Sequence, residues 1–330
     1  MRRVAYMLLC AALVISAFAG CKSKYTGIIK ETRPRPTVTE EVETDADGNV
    51  VTAGEVTWSL DGSTLTFSGD GTIEGKKGDT PADWMAGVGD LSKVEKIVIE
   101  EGIVAIGEAA FTGCKNLKEV SISKTVTKIG HRVFSGCTQL KSVTIPGTVK
   151  QLGNSVFNGC SGLTEVVLED GVERLGNSVF QGCIGLVSID IPDSVKALGT
   201  YTFSGCTSLT TVKLPNTIDT FGRGFFNKCE SLAELEIPTS VTSIGSDVFT
   251  DCVSLTYLEI PNSVTMISAA AFAGCKYLED LVIPASVEFL AEKLFDDAPE
   301  TFKIHGEAGS YAEKYANEYP AGAITFVVIE

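Results

Sequence analysis

The chain has 330 residues, 44% hydrophobic and 21% charged, with a formal net charge of -15 at pH 7. That length is enough for about two ordinary domains with sizeable cores. The acidity argues against nucleic acid and against electrostatic adhesion to anionic membranes, and favours solubility, divalent cations or basic partners.

The N-terminus reads as a targeting segment. Arg2 and Arg3 form a positive n-region, and Val4 to Phe18 is an apolar stretch too short for a membrane span. It ends in Phe18-Ala19-Gly20-Cys21, which resembles a bacterial lipobox. The resemblance implies a lipoprotein signal peptide over 1–20, cleaved before a Cys21 that is then acylated; an ordinary secretory peptide cleaved near Ala19 is the alternative. No second apolar run approaches membrane-spanning length, so the mature chain would be held by lipid alone. Lys22 follows, not the Asp that retains many lipoproteins at the inner membrane, which favours export onward to the outer membrane or cell surface.

Residues 21–52 contain Pro34, Pro36 and the acidic run Glu40-Glu41-Val42-Glu43 without apolar periodicity, and read as a flexible tether. At roughly 3.3 Å per residue it could extend about 100 Å. Next comes an N-terminal β cap over 53–93. Val56, Trp58 and Leu60 alternate with polar residues, Asp61-Gly62 marks a turn, and Leu65 and Phe67 alternate in the return strand, giving a hairpin over 54–72. Trp84, within Pro81-Ala-Asp-Trp-Met, is expected to pack in the same cap, hiding the apolar end of the adjoining repeats.

From 94 to 298 the chain repeats. Cysteines stand at 114, 137, 160, 183, 206, 229, 252 and 275, each 23 residues after the last. A fixed period of this kind marks a solenoid of about nine coils, whose neighbours share one continuous core. In the unit 140–160, Leu140, Val143 and Ile145 form an inward-facing strand stopped by Pro146. Val149 and Leu152 face inward on the opposite wall, Gly153 makes a tight bend that reads as a positive-φ position, and Phe157 precedes Cys160 by three. Phenylalanine recurs in that phase from Phe111 to Phe295. Nine strands are expected, starting near residues 94, 117, 140, 163, 186, 209, 232, 255 and 278, in a stack about 40 Å long at about 4.8 Å per strand. The pattern decays at its end, where Ala298 replaces the cysteine and Ser268 and Ala291 replace the bend glycine.

A C-terminal cap over 299–330 completes the chain: Phe302-Lys-Ile304, a helix over Ser310–Tyr319 with Tyr311, Tyr315 and Tyr319 on one closing face, and a final edge strand over Ile324–Ile329.

The unit I-P-x-S-V-x-x-I-G-x-x-x-F-x-G-C-x-x-L resembles the BspA-like leucine-rich repeats of bacterial and some protist surface proteins. The resemblance implies an α/β-type solenoid, mostly β: a right-handed curved leucine-rich-repeat stack with short parallel strands, an N-terminal β-hairpin cap and a C-terminal helix/strand cap. It also implies binding to host matrix or plasma proteins, or adhesion between cells.

The cysteine ladder reads as buried thiols, because each cysteine has two equivalent neighbours and no favoured disulfide partner; no metal site and no cofactor are expected. His131 and His305 read as surface residues, Glu40-Glu41 and Asp296-Asp297 as solvated pairs, and no catalytic constellation is visible, so the chain is expected not to be an enzyme. No small-molecule substrate is evident. What remains is surface. The residues flanking the central strand position form two outward columns, one running Lys96, Glu119, Ser142, Glu165, Ser188, Thr211, Glu234, Tyr257, Asp280, the other Val98, Ser121, Thr144, Val167, Asp190, Lys213, Glu236, Glu259, Val282. The columns hold seven acids and two bases. From them Glu119, Glu165, Asp190, Lys213, Glu234, Glu236, Tyr257, Glu259 and Asp280 form a candidate face for a protein partner, with Tyr257 as an aromatic anchor; a solvated face kept soluble by like charges is the alternative. The expected function is a lipid-anchored cell-surface protein-binding solenoid acting as an adhesin, and the alternative is a structural component of the envelope.

Overall fold

Most coils place two short strands on opposite walls, because the apolar residues come in two clusters separated by a turn, which carries a proline in six of the nine coils. The computed structural model describes residues 25–29, 43–44, 50–51, 55–78, 80–295, 301–319 and 324–329. The signal segment, Cys21, most of the tether stretch, and Asp296, Asp297 and Ala298 lie outside the described residues.

The first wall carries the strands Lys96–Ile99, Glu119–Ile122, Ser142–Ile145 and Glu165–Leu168, then Ser188–Asp190 with Thr211–Lys213, then Tyr257–Glu259 and Asp280–Val282. All pair in parallel, with partners such as Val143↔Val166 and Leu258↔Leu281 offset by one period. The second wall carries shorter strands, among them Lys128–Ile129, Gln151–Leu152 and Arg174–Leu175, in the same parallel register.

One expected strand is missing. Among the described residues, 232–237 forms no strand, although Leu232 and Ile237 stay buried. Glu236 stands one period from Glu259, and like charges opposite each other weaken a ladder.

Between the walls runs an aromatic column. Phe134, Phe157, Phe180 and Phe203 stack with centroids 5.5–5.8 Å apart and planes within 3–9°, and each is fully buried. Both ends of the column are closed by other aromatics. At the N-terminal end, Trp84 and Phe67 pack on Phe111 at 5.6 Å, and the Trp84 indole N–H donates to the Glu74 carbonyl at 2.8 Å. Trp84 sits on a six-residue helix, Asp83–Val88, that the sequence pattern does not announce. The expected hairpin is Val56–Asp61 with Thr64–Ser68, whose second strand pairs in parallel with Lys96–Ile99. Its predicted tail, Gly71–Ile73, instead starts the second wall. Within the stretch that reads as a tether, Tyr25–Ile29 pairs in parallel with Val56–Asp61.

At the other end, Phe302 lies 4.7 Å from Phe295 and Tyr319 meets the same ring edge-on at 6.3 Å. The closing helix is Tyr311–Glu318, capped by the Ser310 hydroxyl, which accepts from the Glu313 N–H. Its tyrosines divide: Tyr315 is buried and its hydroxyl accepts from the Leu294 N–H at 3.3 Å, while Tyr311 is exposed under the Lys314 ammonium. The drift of a straight helix accounts for that split, since positions four apart advance about 40°. Thr325–Val328 adds the final parallel strand beside Lys303–Gly306.

The bend glycines act differently from expectation. Gly153 does not have a positive φ. A Cβ there would lie 2.5 Å from the Gly130 backbone, so the residue is small because successive coils touch at the bend. Left-handed backbone occurs elsewhere, at Gly159 and its equivalents, and at non-glycine positions such as Arg132, Ser155, Ser178 and Tyr201 in successive coils (φ 56–58°).

Candidate functional site

The cysteines belong to the interior. All eight described cysteines are free and buried. Each thiol from Cys137 onward donates to the carbonyl of the phenylalanine 26 residues earlier, as in Cys160 to Phe134 at 3.1 Å and Cys275 to Phe249 at 3.0 Å. Burial pushes Cys114, Cys160, Cys206 and Cys275 up to about 12, and raises the other four as well. A thiol held protonated is neither nucleophile nor metal ligand. Among the described residues no group of three histidine, cysteine, aspartate or glutamate side chains could hold a metal ion.

A second ladder joins the coils at the turn between the walls. Thr148, Ser194 and Ser240 donate their hydroxyls to Val126, Val172 and Ile218 carbonyls in the preceding coil at 2.6–2.8 Å. No buried side-chain nitrogen or oxygen among the described residues lacks a partner. His131 also serves the backbone: its Nδ1 accepts from the Asn154 N–H at 2.8 Å, and Asn154 and Asn177 repeat that contact in the next two coils.

The strand face is where side chains are left over. Alternation puts Val143, Val166 and Leu258 inside and turns the flanking residues to solvent. Glu119, Glu165, Asp190, Lys213, Glu234, Glu236, Tyr257 and Glu259 are exposed, and Asp280 is half-buried. They do not share one environment. Glu119 is paired with Lys96 at 2.6 Å. Asp280 is engaged by His305 Nε2 at 2.6 Å and by Lys303 at 3.9 Å, so His305, read from sequence as a surface residue beside the cap, contributes to this face. The Tyr257 hydroxyl donates to Glu259 at 3.2 Å, and partial burial with that hydrogen bond raises its pKa. Glu165, Asp190, Lys213, Glu234 and Glu236 make no ion pair within 4.0 Å among the described residues. Tyr257, 48% exposed, stands one period from Glu234 and beside Glu259 and Asp280.

The C-terminal third of the face is therefore an aromatic ring flanked by carboxylates, of which Glu234 and Glu236 make no ion pair among the described residues while Glu259 accepts from the ring's hydroxyl and Asp280 is held by the cap. Such a surface offers acceptors and one apolar anchor to a partner bearing lysine, arginine or backbone donors. Two surface hollows, one of about 650 Å³ beside Glu100, Glu101 and Lys124 and one of about 370 Å³ beside Glu288 and Ser310, are open to solvent. The His305–Asp280 contact is not legible in the sequence, because the cap strand's register on the last coil cannot be read from a repeat that has ended. No helix among the described residues is long and apolar enough to cross a membrane.

A family model described as a BspA type leucine-rich repeat region matches residues 90–206 and 173–301, with six copies. Among solved structures, the chain is similar to a leucine-rich repeat protein of T. pallidum, at 25% identity over 66% of this chain and 87% of that one, with a TM-score of 0.49. A leucine-rich cell surface protein of Faecalibacterium prausnitzii matches at 23% identity over 84% and 98% of the two chains, with a TM-score of 0.38. The pneumococcal vaccine antigen PcpA matches at 15% identity over 89% and 100%, with a TM-score of 0.42. A search among curated proteins finds no significant match.

Proposed function

The chain belongs to the BspA-type leucine-rich repeat family, and from that premise we propose that it is a lipid-anchored protein of the bacterial cell surface whose acidic strand face binds a protein partner in adhesion. The observation that carries this reading is the cluster of Glu234, Glu236, Tyr257 and Glu259, all exposed on the first wall, Tyr257 and Glu259 on a strand and the other two glutamates on the unpaired coil before it. A face selected only for solubility has no need of a half-exposed tyrosine among its carboxylates. An anchor in a central aromatic with charged neighbours is the usual distribution of binding energy at an interface. Anchoring rests on the segment ending at Cys21, whose acylation holds the mature chain at the membrane when no apolar span does.

Two variants test the two halves separately. Charge reversal at Glu234, Glu236 and Glu259 should weaken a partner captured from matrix or cell-surface extracts at least tenfold, while equal changes on the second wall leave it unchanged; equal loss from both walls contradicts the face. Cys21→Ala should move the protein from the membrane fraction to the soluble one, and unchanged fractionation contradicts lipid anchoring.

A further inference from the structure

Four consecutive coils of the second wall have the opposite sign. Their outward residues are Thr127 and Lys128, Lys150 and Gln151, Glu173 and Arg174, Lys196 and Ala197. The strands beneath are in register, Lys128↔Gln151↔Arg174↔Ala197. Each coil thus offers one exposed base, and the bases alternate between the two columns: Lys128, Lys150, Arg174, Lys196. At about 4.8 Å per coil the strip is roughly 14 Å long and one charge wide. It is bounded by Ala105 in the coil before and Asp219 in the coil after.

We propose that this strip binds a linear sulfated glycan laid along the solenoid axis. The one carboxylate within these columns, Glu173, lies 4.0 Å from Lys150 and 3.6 Å from Lys196, whose side chains remain 60% and 68% exposed. Exposed pairs of that length contribute little, so a more strongly anionic group can displace Glu173 from both lysines. Lys150 also donates to the Gly147 and Gly171 carbonyls, at 3.4 and 3.1 Å, which fixes its stem along the wall. Two neighbouring acids are engaged elsewhere: Glu169 faces Lys124 at 3.8 Å and Glu108 holds Arg132 at 2.6 Å.

An extended polyanion carrying regularly spaced charges matches a row of single bases at regular rise. Arg174 supplies the planar fork that suits a sulfate, and Lys128, Lys150 and Lys196 supply point charges. Thr127 and Gln151 stand between them as partners for sugar hydroxyls. The strip has no aromatic on which a nucleic-acid base could stack, which single-strand binding uses. The net charge of -15 does not forbid the contact, because at physiological ionic strength charges more than about 8 Å away are screened. This surface is independent of the strand face and does not rest on the function proposed for it.

The test uses the mature protein and an immobilised heparin-derived oligosaccharide as the probe. Wild type should bind, and by the counterion-release slope for four charges its affinity should fall about 50-fold between 50 mM and 200 mM salt. Lys128→Gln, Lys150→Gln, Arg174→Gln and Lys196→Gln together should weaken binding by a similar factor at the lower salt. The same number of glutamines at Lys115, Lys118, Lys141 and Lys276, which are exposed and off this wall, should change it less than twofold. No binding by wild type, equal loss from both variants, or equal affinity for single-stranded DNA overturns the proposal. So does self-association of the wild type that the strip variant abolishes, which would make a second copy's acidic face the occupant.

Discussion

At the scale of single residues, the cysteine ladder couples the fold to pH. The eight buried thiols have folded-state pKa values raised above the ordinary value of 9.0, to about 12 for Cys114, Cys160, Cys206 and Cys275. Above pH 9 the unfolded chain releases thiol protons that the folded chain retains. The unfolded state then binds fewer protons, and stability falls as pH rises. Each thiol costs roughly 1 kcal/mol one pH unit above its unfolded value, so eight together remove on the order of 10 kcal/mol, comparable to a whole domain's stability. The described domain should therefore unfold between about pH 9 and 12. Denaturant titrations at successive pH values measure this, alongside a thiol reagent that should label none of the eight in the native protein and all of them after denaturation without reductant. Stability unchanged to pH 11, or thiols unreactive after denaturation, contradicts the buried-thiol ladder.

Elements show what a repeat pattern makes legible and what it hides. Phase alone places the phenylalanine and cysteine columns inside, because periodicity reports which wall a side chain faces. It also gives the hairpin and both caps. It cannot report distances between coils, so Gly153 reads as a positive-φ bend although its constraint is the 2.5 Å approach to Gly130. Nor can it find the left-handed residues at Arg132 and Tyr201, since side chains there look ordinary in sequence. The missing strand at 232–237 is hidden because phase still places Leu232 and Ile237 inside, and the Asp83–Val88 helix depends on packing against the end of the stack. On the candidate face, exposure is readable but the engagement of Glu119 and Asp280 is not, because ion pairs across coils depend on side-chain reach. The glycine distinction is measurable. Gly153→Ala should destabilise by about 2–3 kcal/mol, from a clash with the backbone of the neighbouring coil. Gly159→Ala, whose Cβ would meet nothing closer than 3.9 Å, should cost only about 1–2 kcal/mol for its left-handed backbone. Chemical denaturation of both variants checks this, and equal costs would contradict the close approach. The constraint is local: at Gly222 the nearest contact to a Cβ is 3.2 Å, from the Thr200 side chain, whereas at Gly245 it is again 2.8 Å, from the Phe221 carbonyl. Ser268 and Ala291 then occupy the bend outright and keep its hydrogen bond to the previous coil, at 2.9 and 3.1 Å.

For the whole molecule, the continuous aromatic column from Trp84 to Tyr319 runs between two walls of different character, an acidic strand face and a partly basic back. A solenoid of this kind has its function on its surface, and the surface has value only where a partner can reach it. Adhesion therefore requires location as much as chemistry: the repeats must stand outside the cell. Protease or antibody added to intact cells tests this most directly. The repeat domain should be cleaved or labelled while a periplasmic control protein is untouched. Access only after the envelope is broken would contradict the adhesive reading and leave an internal envelope component in its place.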